Sequence, residues 1–183
     1  VVDSGGDVAA AAAQVGFPCV LKTARGGYDG KGQVVLRGEG DVAAAQNLAD
    51  HADCVLESFV TFTGEMSVIV VADNAGNVRT FPAVGNEHRN NILHLSTLPA
   101  PVEEETAQKA AALAHTIATK LELVGALAIE MFHLPTGDVV VNELAPRPHN
   151  SGHATIEACD FSQFALHIRA VAGWPLPQPR LLS

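Results

Sequence analysis

The stretch CVLKTARGGYDGKGQVVL, residues 19–36, decides how the chain is read. Its two short apolar runs, Cys19-Val20-Leu21 and Val34-Val35-Leu36, flank a glycine-rich segment and neither shows helical spacing. The reading is strand, glycine loop, strand. Gly26, Gly27, Gly30 and Gly32 sit among Lys22, Arg25, Lys31 and Arg37, so four of the chain's 11 Lys and Arg residues cluster here. That is a local site for an anion. It is no Walker-type P-loop, because Gly32 and a strand follow Lys31 where that motif needs a hydroxyl residue and a helix. Glycines between strands suit a flap whose backbone N–H groups close over phosphates, although a mobile surface hairpin accounts for the glycines alone equally well. Lys22 favours the phosphate reading: at the end of an apolar strand its stem is expected to be buried and its ammonium aimed at the loop.

Outward from this stretch, the alanines of GDVAAAAAQV (6–15) predict a helix that Gly16-Phe17-Pro18 stops. Asp41 is the expected N-cap of a helix over 42–49, and Cys54 to Val60 is an apolar strand carrying Glu57. Glu65 to Ala72 alternates as a strand, residues 73–77 turn, and 78–83 return. Pro101 and Glu103 to Glu105 suit a helix start, with Glu105 and Lys109 an i,i+4 pair; this helix, of about 20 residues, is expected to end near Leu123. Residues 126–134 and 139–144 predict a hairpin across Pro135-Thr136-Gly137-Asp138, and a last helix spans 161–172. WPLPQP (174–179) reads as an exit linker and not as a packed element.

Composition bounds the function. With 183 residues and 48% hydrophobic content, folding can bury roughly 70% of the unfolded chain's surface without disulfide or metal staples. A formal charge of −9 argues against nucleic-acid or anionic-membrane partners, which need many cations, but leaves room for a small anion at a local patch. Cys19, Cys54 and Cys159 form no CxxC pair, so a reducing cytoplasm is expected. Apolar runs such as 68–72 are far short of the ~20 residues that span a bilayer, and no signal peptide is legible. The first residue is not Met, and the chain reads as beginning inside a longer protein.

Two carboxylates interrupt apolar alternation. Glu130 shares a strand face with Ala128 and Phe132, and Glu143 is assigned to the face of Val139 and Val141. If Leu134 pairs with Val139, Glu130 falls directly opposite Glu143, where like charges repel. A divalent cation removes that repulsion, and Mg²⁺ is held by one or two carboxylates with nucleotide phosphates. A solvated Glu on an edge strand is the alternative. Asn142 adjoins Glu143 on the opposite face and is read as bracing a loop.

The segment LAPRPHNSGHAT (144–155) follows, a proline-stiffened loop bearing Arg147, His149, Asn150, Ser151 and His153. Arg147 offers a planar fork for phosphate or another planar anion. His149 and His153 have the spacing of a helical zinc pair, but Pro148 and Gly152 disfavour a helix; a zinc protein using them with Cys159 remains an alternative, as does simple backbone capping. Weaker signals are Glu57-Ser58-Phe59-Val60 with Glu65, suited to an adenine edge and ribose hydroxyls, and His88 within reach of a phosphate. An ordinary strand with a surface Glu and a structural His explain these equally well.

Taken in order, Lys22, GGYDGKGQ, ESFV with Glu65, NEHRNNIL, Glu130 and VNELAPRPHNSGHATIEACDFSQFALHIRA resemble the ATP-grasp domain of the N5-carboxyaminoimidazole ribonucleotide synthase family. The resemblance covers nearly the whole chain, and 142–169 is its most specific part. It implies an α+β ATP-grasp fold whose two lobes, with mainly antiparallel sheets, close over ATP. Residues 1–60 would be the small lobe with the flap, 61–175 the large lobe with the metal and substrate site, and 176–183 the exit linker. The family's flanking N- and C-terminal domains are absent from the 183 residues.

By position, the resemblance implies that Lys22 and Gly27, Tyr28, Asp29, Gly30, Lys31, Gly32 and Gln33 hold ATP phosphates. Glu57, Ser58, Phe59 and Val60 would line adenine and Glu65 the ribose, while His88, Asn142 and Glu143 complete the nucleotide site. Glu130 and Glu143 would bind Mg²⁺, with Mn²⁺ as a substitute. Arg147, His149, Asn150 and His153 would face bicarbonate and 5-aminoimidazole ribonucleotide. The implied reaction is an ATP-dependent, ADP-forming ligation in purine biosynthesis: ATP phosphorylates bicarbonate, and the carboxyl group of the resulting carboxyphosphate passes to the ribonucleotide's exocyclic amine, giving N5-carboxyaminoimidazole ribonucleotide. A homodimer and the mutase that acts on that product are the partners the resemblance leaves open. Alternatives are another ATP-grasp ligase, such as the formate-dependent glycinamide ribonucleotide transformylase, or a non-catalytic ATP-binding domain.

Overall fold

The computed structural model describes residues 1–26 and 31–182, so the expectations for Gly27, Tyr28, Asp29 and Gly30 lie outside the described residues. The chain divides into two compact units, residues 1–61 with 90–92, and 62–89 with 93–183.

In the first unit, α1 (Val8–Val15) starts where the Asp7 carboxylate accepts the Ala10 N–H at 3.0 Å and ends at Gly16, whose φ of +86° a side chain would resist. Then come β1 (Cys19–Thr23), β2 (Gln33–Leu36), α2 (Val42–Ala49) and β3 (Cys54–Ser58), with sheet order β2-β1-β3 and antiparallel pairing. Strand alternation buries Cys19, Leu21, Leu36, Cys54 and Leu56 against Val8, Ala12, Ala45 and Ala49 of the two helices. Asp41 does not cap α2. It sits in helical backbone at the end of a 3₁₀ turn, Glu39–Asp41, and its carboxylate accepts the Arg37 N–H at 2.7 Å instead.

The second unit contains β4 (Gly64–Ala72), β5 (Val78–Thr80), β6 (Val84–Arg89), β7 (Ile92–Thr97), α3 (Glu104–Lys120), β8 (Gly125–His133), β9 (Val139–Ala145), α4 (Thr155–Ala158) and α5 (Gln163–Val171). Its sheet runs β7-β6-β4-β8-β9, with β5 also paired to β4. Strands β4 and β8 pair along their whole length, from Gly64 opposite His133 to Ala72 opposite Gly125. One face packs Met66, Val68, Val70, Leu127, Ile129 and Met131 against α3, where Ala110, Ala114 and Ala118 recur every fourth residue and let the helix lie close. The other face packs Ile69, Val71, Ala126 and Ala128 against Leu166 and Ala170 of α5. Glu105 and Lys109 pair at 3.1 Å as expected, and Lys109 also reaches Asp138 at 3.0 Å in the β8–β9 turn.

The hairpin β6–β7 was not expected from the sequence. Asn90 and Asn91 lie between its strands with φ of +52° and +61°, the backbone of a two-residue type I′ turn, which asparagine tolerates. The tail differs from the linker reading. Leu176 is buried, Arg79 Nε donates to its carbonyl at 3.1 Å, Gln178 Nε2 donates to Thr80 O at 2.9 Å, and Leu181 bridges to Cys159. The prolines remove N–H donors, but the remaining carbonyls and side chains supply the bonds that tie this segment down.

Candidate functional site

At one end of the α5-facing side of the large sheet, polar residues replace the apolar core. Strand alternation places Glu65 and Ser67 of β4, Asn86 and His88 of β6, and Glu130 of β8 on this face. Glu130 stands directly opposite Glu143, as predicted, but by a different route. Val139 pairs with His133 and Val141 with Met131, and the register then shifts by one, leaving Asn142 as the inserted residue of a β-bulge. Val139 and Val141 therefore pack toward α3, whereas Ala145, two residues beyond Glu143, packs toward α5. This corrects the assignment of Glu143 to the face of the two valines. The bulge is what turns its carboxylate to the face of Glu130.

The loop after β9 brings further side chains to this face. His149 Nε2 lies 3.3 Å from Glu130 Oε1, both side chains being largely buried. His88 Nδ1 lies 3.1 Å from Glu65 Oε2, an ionic contact outside hydrogen-bond alignment, since that nitrogen has no hydrogen-bond partner. Ser151 Oγ is 3.0 Å from His149 Nδ1 and accepts a 2.8 Å bond from Ser67 Oγ, which in turn accepts from Asn86 Nδ2 at 3.1 Å. Gln163, fully buried at the start of α5, clamps the loop: its Oε1 accepts the His149 N–H at 3.0 Å and its Nε2 donates to the His149 carbonyl at 2.6 Å. Gly152 is required beneath that amide, because a Cβ there would lie 2.6 Å from Gln163 Oε1.

Ser67, Asn86, Ser151 and Gln163 were not among the predicted site residues. Ser151 stood in the polar loop already singled out, Asn86 opens the NEHRNNIL segment, and Ser67 interrupts the apolar run of β4, whereas nothing in the sequence marks Gln163. Of the predicted loop residues, Arg147 is exposed and donates to the Pro148 carbonyl, and Asn150 accepts the Ser151 N–H through its side chain. His153 stacks on Phe164 at 6.0 Å and makes no contact with Glu130 or His149 comparable to theirs with each other.

Burial, reinforced by the facing charge of Glu143, pushes the Glu130 carboxyl above its ordinary range, against the opposing pull of His88 and Arg147. Burial likewise pushes His149 down, with the positive charges of Arg147, His153 and His88 acting in the same direction. Both shifts favour neutral partners over a full ion pair at the 3.3 Å contact. Opposed carboxylates, one of them reluctant to ionise, suit a cation that restores the charge. No group of three or more His, Cys, Asp or Glu able to hold a metal occurs among the described residues. Two glutamates with phosphate and water fit Mg²⁺ and leave a zinc centre short of ligands.

In the first unit, Lys22 lies on the sheet face opposite the core, its side chain 31% exposed, and its Nζ meets Glu57 Oε2 at 2.8 Å. Gln33 pairs with Lys22 across β1–β2, and Gly32, at φ +75°, accepts the Thr23 N–H through its carbonyl. Lys31 sits at the mouth of this hairpin. Ser58 and Phe59 are exposed at the end of β3, with Val60 half-buried. No helix among the described residues is long and apolar enough to cross a membrane.

Similarity to known proteins extends over nearly the whole chain. The model of the ATP-grasp domain matches residues 1–164. A curated relative from Bacillus subtilis (strain 168), an N5-carboxyaminoimidazole ribonucleotide synthase, is 51% identical over 183 residues, covering 100% of this chain and 48% of the relative. The crystal structure of an ADP complex of an N5-carboxyaminoimidazole ribonucleotide synthetase superposes with a TM-score of 0.94 at 52% identity, covering 99% of this chain and 48% of that one. An Aspergillus clavatus synthase in complex with ADP and 5-aminoimidazole ribonucleotide gives a TM-score of 0.85 at 32% identity, covering 93% and 44%. The chain spans about half the length of the curated relatives it matches.

Proposed function

This chain belongs to the ATP-grasp family, and on that premise we propose that it is the nucleotide-binding part of an ADP-forming ligase that uses ATP and bicarbonate to carboxylate 5-aminoimidazole ribonucleotide. The observation that carries the reading is the opposition of Glu130 and Glu143 beside a loop locked in place by Gln163. Identity to N5-carboxyaminoimidazole ribonucleotide synthases over the full chain supports the acceptor.

In this reading Lys22, Lys31 and the backbone of the glycine loop hold the ATP phosphates. The backbone and apolar side chains at 57–60 take the adenine, and Glu65 takes ribose hydroxyls, with His88 3.1 Å from its carboxylate. Glu130 and Glu143 would hold Mg²⁺, which when bound neutralises phosphate charge during transfer. His149, kept neutral by burial, presents an imidazole N–H rather than a cation, and Arg147 offers its planar fork to the anionic acceptor. Asn150 and His153 belong to the same proposed acceptor loop, and Asn142 to the nucleotide contact. Phosphoryl transfer of this kind needs positioned charge and exclusion of water rather than a covalent nucleophile.

The test is ADP release from ATP, Mg²⁺ and bicarbonate, with and without 5-aminoimidazole ribonucleotide. Ribonucleotide-stimulated release is expected. Stimulation by glycinamide ribonucleotide and formate instead would assign a different acceptor, and a chain whose melting is unmoved by Mg²⁺-ATP would overturn the nucleotide reading.

A further inference from the structure

A buried hydrogen-bond chain ends on the one imidazole nitrogen of His149 that faces away from Glu130. Asn86 Oδ1 accepts from Ser96 Oγ at 3.4 Å and its Nδ2 donates to Ser67 Oγ at 3.1 Å. Ser67 Oγ donates its single hydrogen to Ser151 Oγ at 2.8 Å. Ser151 Oγ then keeps its own hydrogen for His149 Nδ1, 3.0 Å away. The direction is anchored by the Ser151 backbone N–H, which can only donate and is shared between Asn150 Oδ1 at 3.0 Å and His149 Nδ1 at 3.4 Å. Two donors converge on Nδ1, so in the neutral ring that nitrogen must be the acceptor and the proton must sit on Nε2, the atom 3.3 Å from Glu130.

We infer that the Asn86–Ser67–Ser151 relay fixes the Nε2–H tautomer of His149, and that these three are positioning residues that aim an N–H donor into the Glu130 site. Ser67 and Ser151 are fully buried, and Asn86 nearly so, so water does not compete for the chain. Gln163 completes the device from the other side. By bonding both the N–H and the carbonyl of His149, it fixes the backbone from which the ring projects. The role of this N–H in turnover rests on the proposed function; the tautomer itself does not.

The chain is labelled with ¹⁵N in its histidine rings, two-bond ¹H–¹⁵N correlation spectra are recorded at mildly alkaline pH, and His149 is assigned from a His149→Asn variant. The expected wild-type spectrum has Nε2–H dominant by about tenfold, the ratio that one net hydrogen bond sustains. In Ser151→Ala that ratio falls several-fold. In Ser67→Ala it falls less, because the Ser151 hydroxyl keeps its hydrogen but loses its fixed direction. A wild-type ring protonated on Nδ1, or a ratio unchanged in Ser151→Ala, overturns the inference. Should Ser151→Ala fail to fold, as judged by melting, the wild-type spectrum and Ser67→Ala decide. Ribonucleotide-dependent ADP release is followed in parallel: an intact Nε2–H ratio without turnover counts against the proposed function alone, and turnover with the wrong tautomer counts against the relay alone.

Discussion

Replacing Glu143 by Gln should leave the free chain at least as stable and weaken its stabilisation by nucleotide. The side chain keeps its size and its place opposite Glu130 but loses its charge. Like charges directly opposed across antiparallel strands cost roughly 0.2–1 kcal/mol. For a chain of 183 residues, each kcal/mol moves the melting temperature by about 2–4 °C. Because the Glu130 carboxyl is itself pushed above its ordinary range and sheds part of the repulsion by taking up a proton, the free variant is expected to melt no lower than the wild type and at most about 4 °C higher. Mg²⁺-ATP at a hundredfold its dissociation constant stabilises the wild type by about 2.7 kcal/mol, or some 5–10 °C. The variant should lose most of that increment, because one of two carboxylates for the cation is gone. Differential scanning fluorimetry with ATP, with Mg²⁺ and with both separates the two effects. A free variant that melts several degrees lower, together with an undiminished Mg²⁺-ATP increment, would refute the assignment of these carboxylates to a cation.

Lys22→Met should lower the melting temperature by no more than about 4 °C, since its pair with Glu57 is partly exposed at 31% and 46% and such pairs contribute at most about 1 kcal/mol. ATP affinity measured by calorimetry should nevertheless fall at least about tenfold, as a charge-assisted phosphate contact implies. Gly152→Ala places a methyl group 2.6 Å from Gln163 Oε1 and should cost about 2 kcal/mol or more, with melting down by about 4–8 °C and ribonucleotide-stimulated ADP release lost. The buried Asp73 is held below the usual carboxylate range chiefly by the Asn77 side-chain amide, with the Asn77 and Ala75 backbone N–H groups and the Arg79 charge adding to it against the opposing effect of burial. Its folded-state value is depressed, so its contribution is full above the unfolded value near ~3.9 and fades as pH falls through the folded one. Asp73→Ala should therefore cost about 2 kcal/mol at neutral pH, and the gap in urea denaturation from the wild type should narrow below about pH 4.

The elements with strong periodicity were legible. Residues 126–134 and 139–144 were predicted as a hairpin from alternation and a Pro-Thr-Gly-Asp turn, and the structure places β8 and β9 there with Glu130 opposite Glu143. The bulge at Asn142 was not legible, because one inserted residue leaves local composition unchanged and shows only in which partner each neighbour meets. The β6–β7 hairpin was missed although Asn90-Asn91 carried its signal: the sequence HRNNIL is polar, and a strand with little apolar alternation does not announce itself. Asp41 was misread because a cap and a 3₁₀ turn draw on the same residue type. The ionisable residues that meet on this face were singled out from the sequence, whereas Ser67 and Gln163, which hold the loop beside them, were not. A buried Gln or Ser is recognised by the backbone it bonds, and in Gln163 that partner, His149, lies on a different element.

The most direct test of the central claim, that the chain binds a metal-bound nucleotide through Glu130 and Glu143, is calorimetric titration with ATP in the presence and absence of Mg²⁺. One ATP per chain, bound only with the cation and weakened at least about tenfold in Glu143→Gln, is the expected result. Binding that is indifferent to Mg²⁺, or of equal strength in the variant, would contradict it.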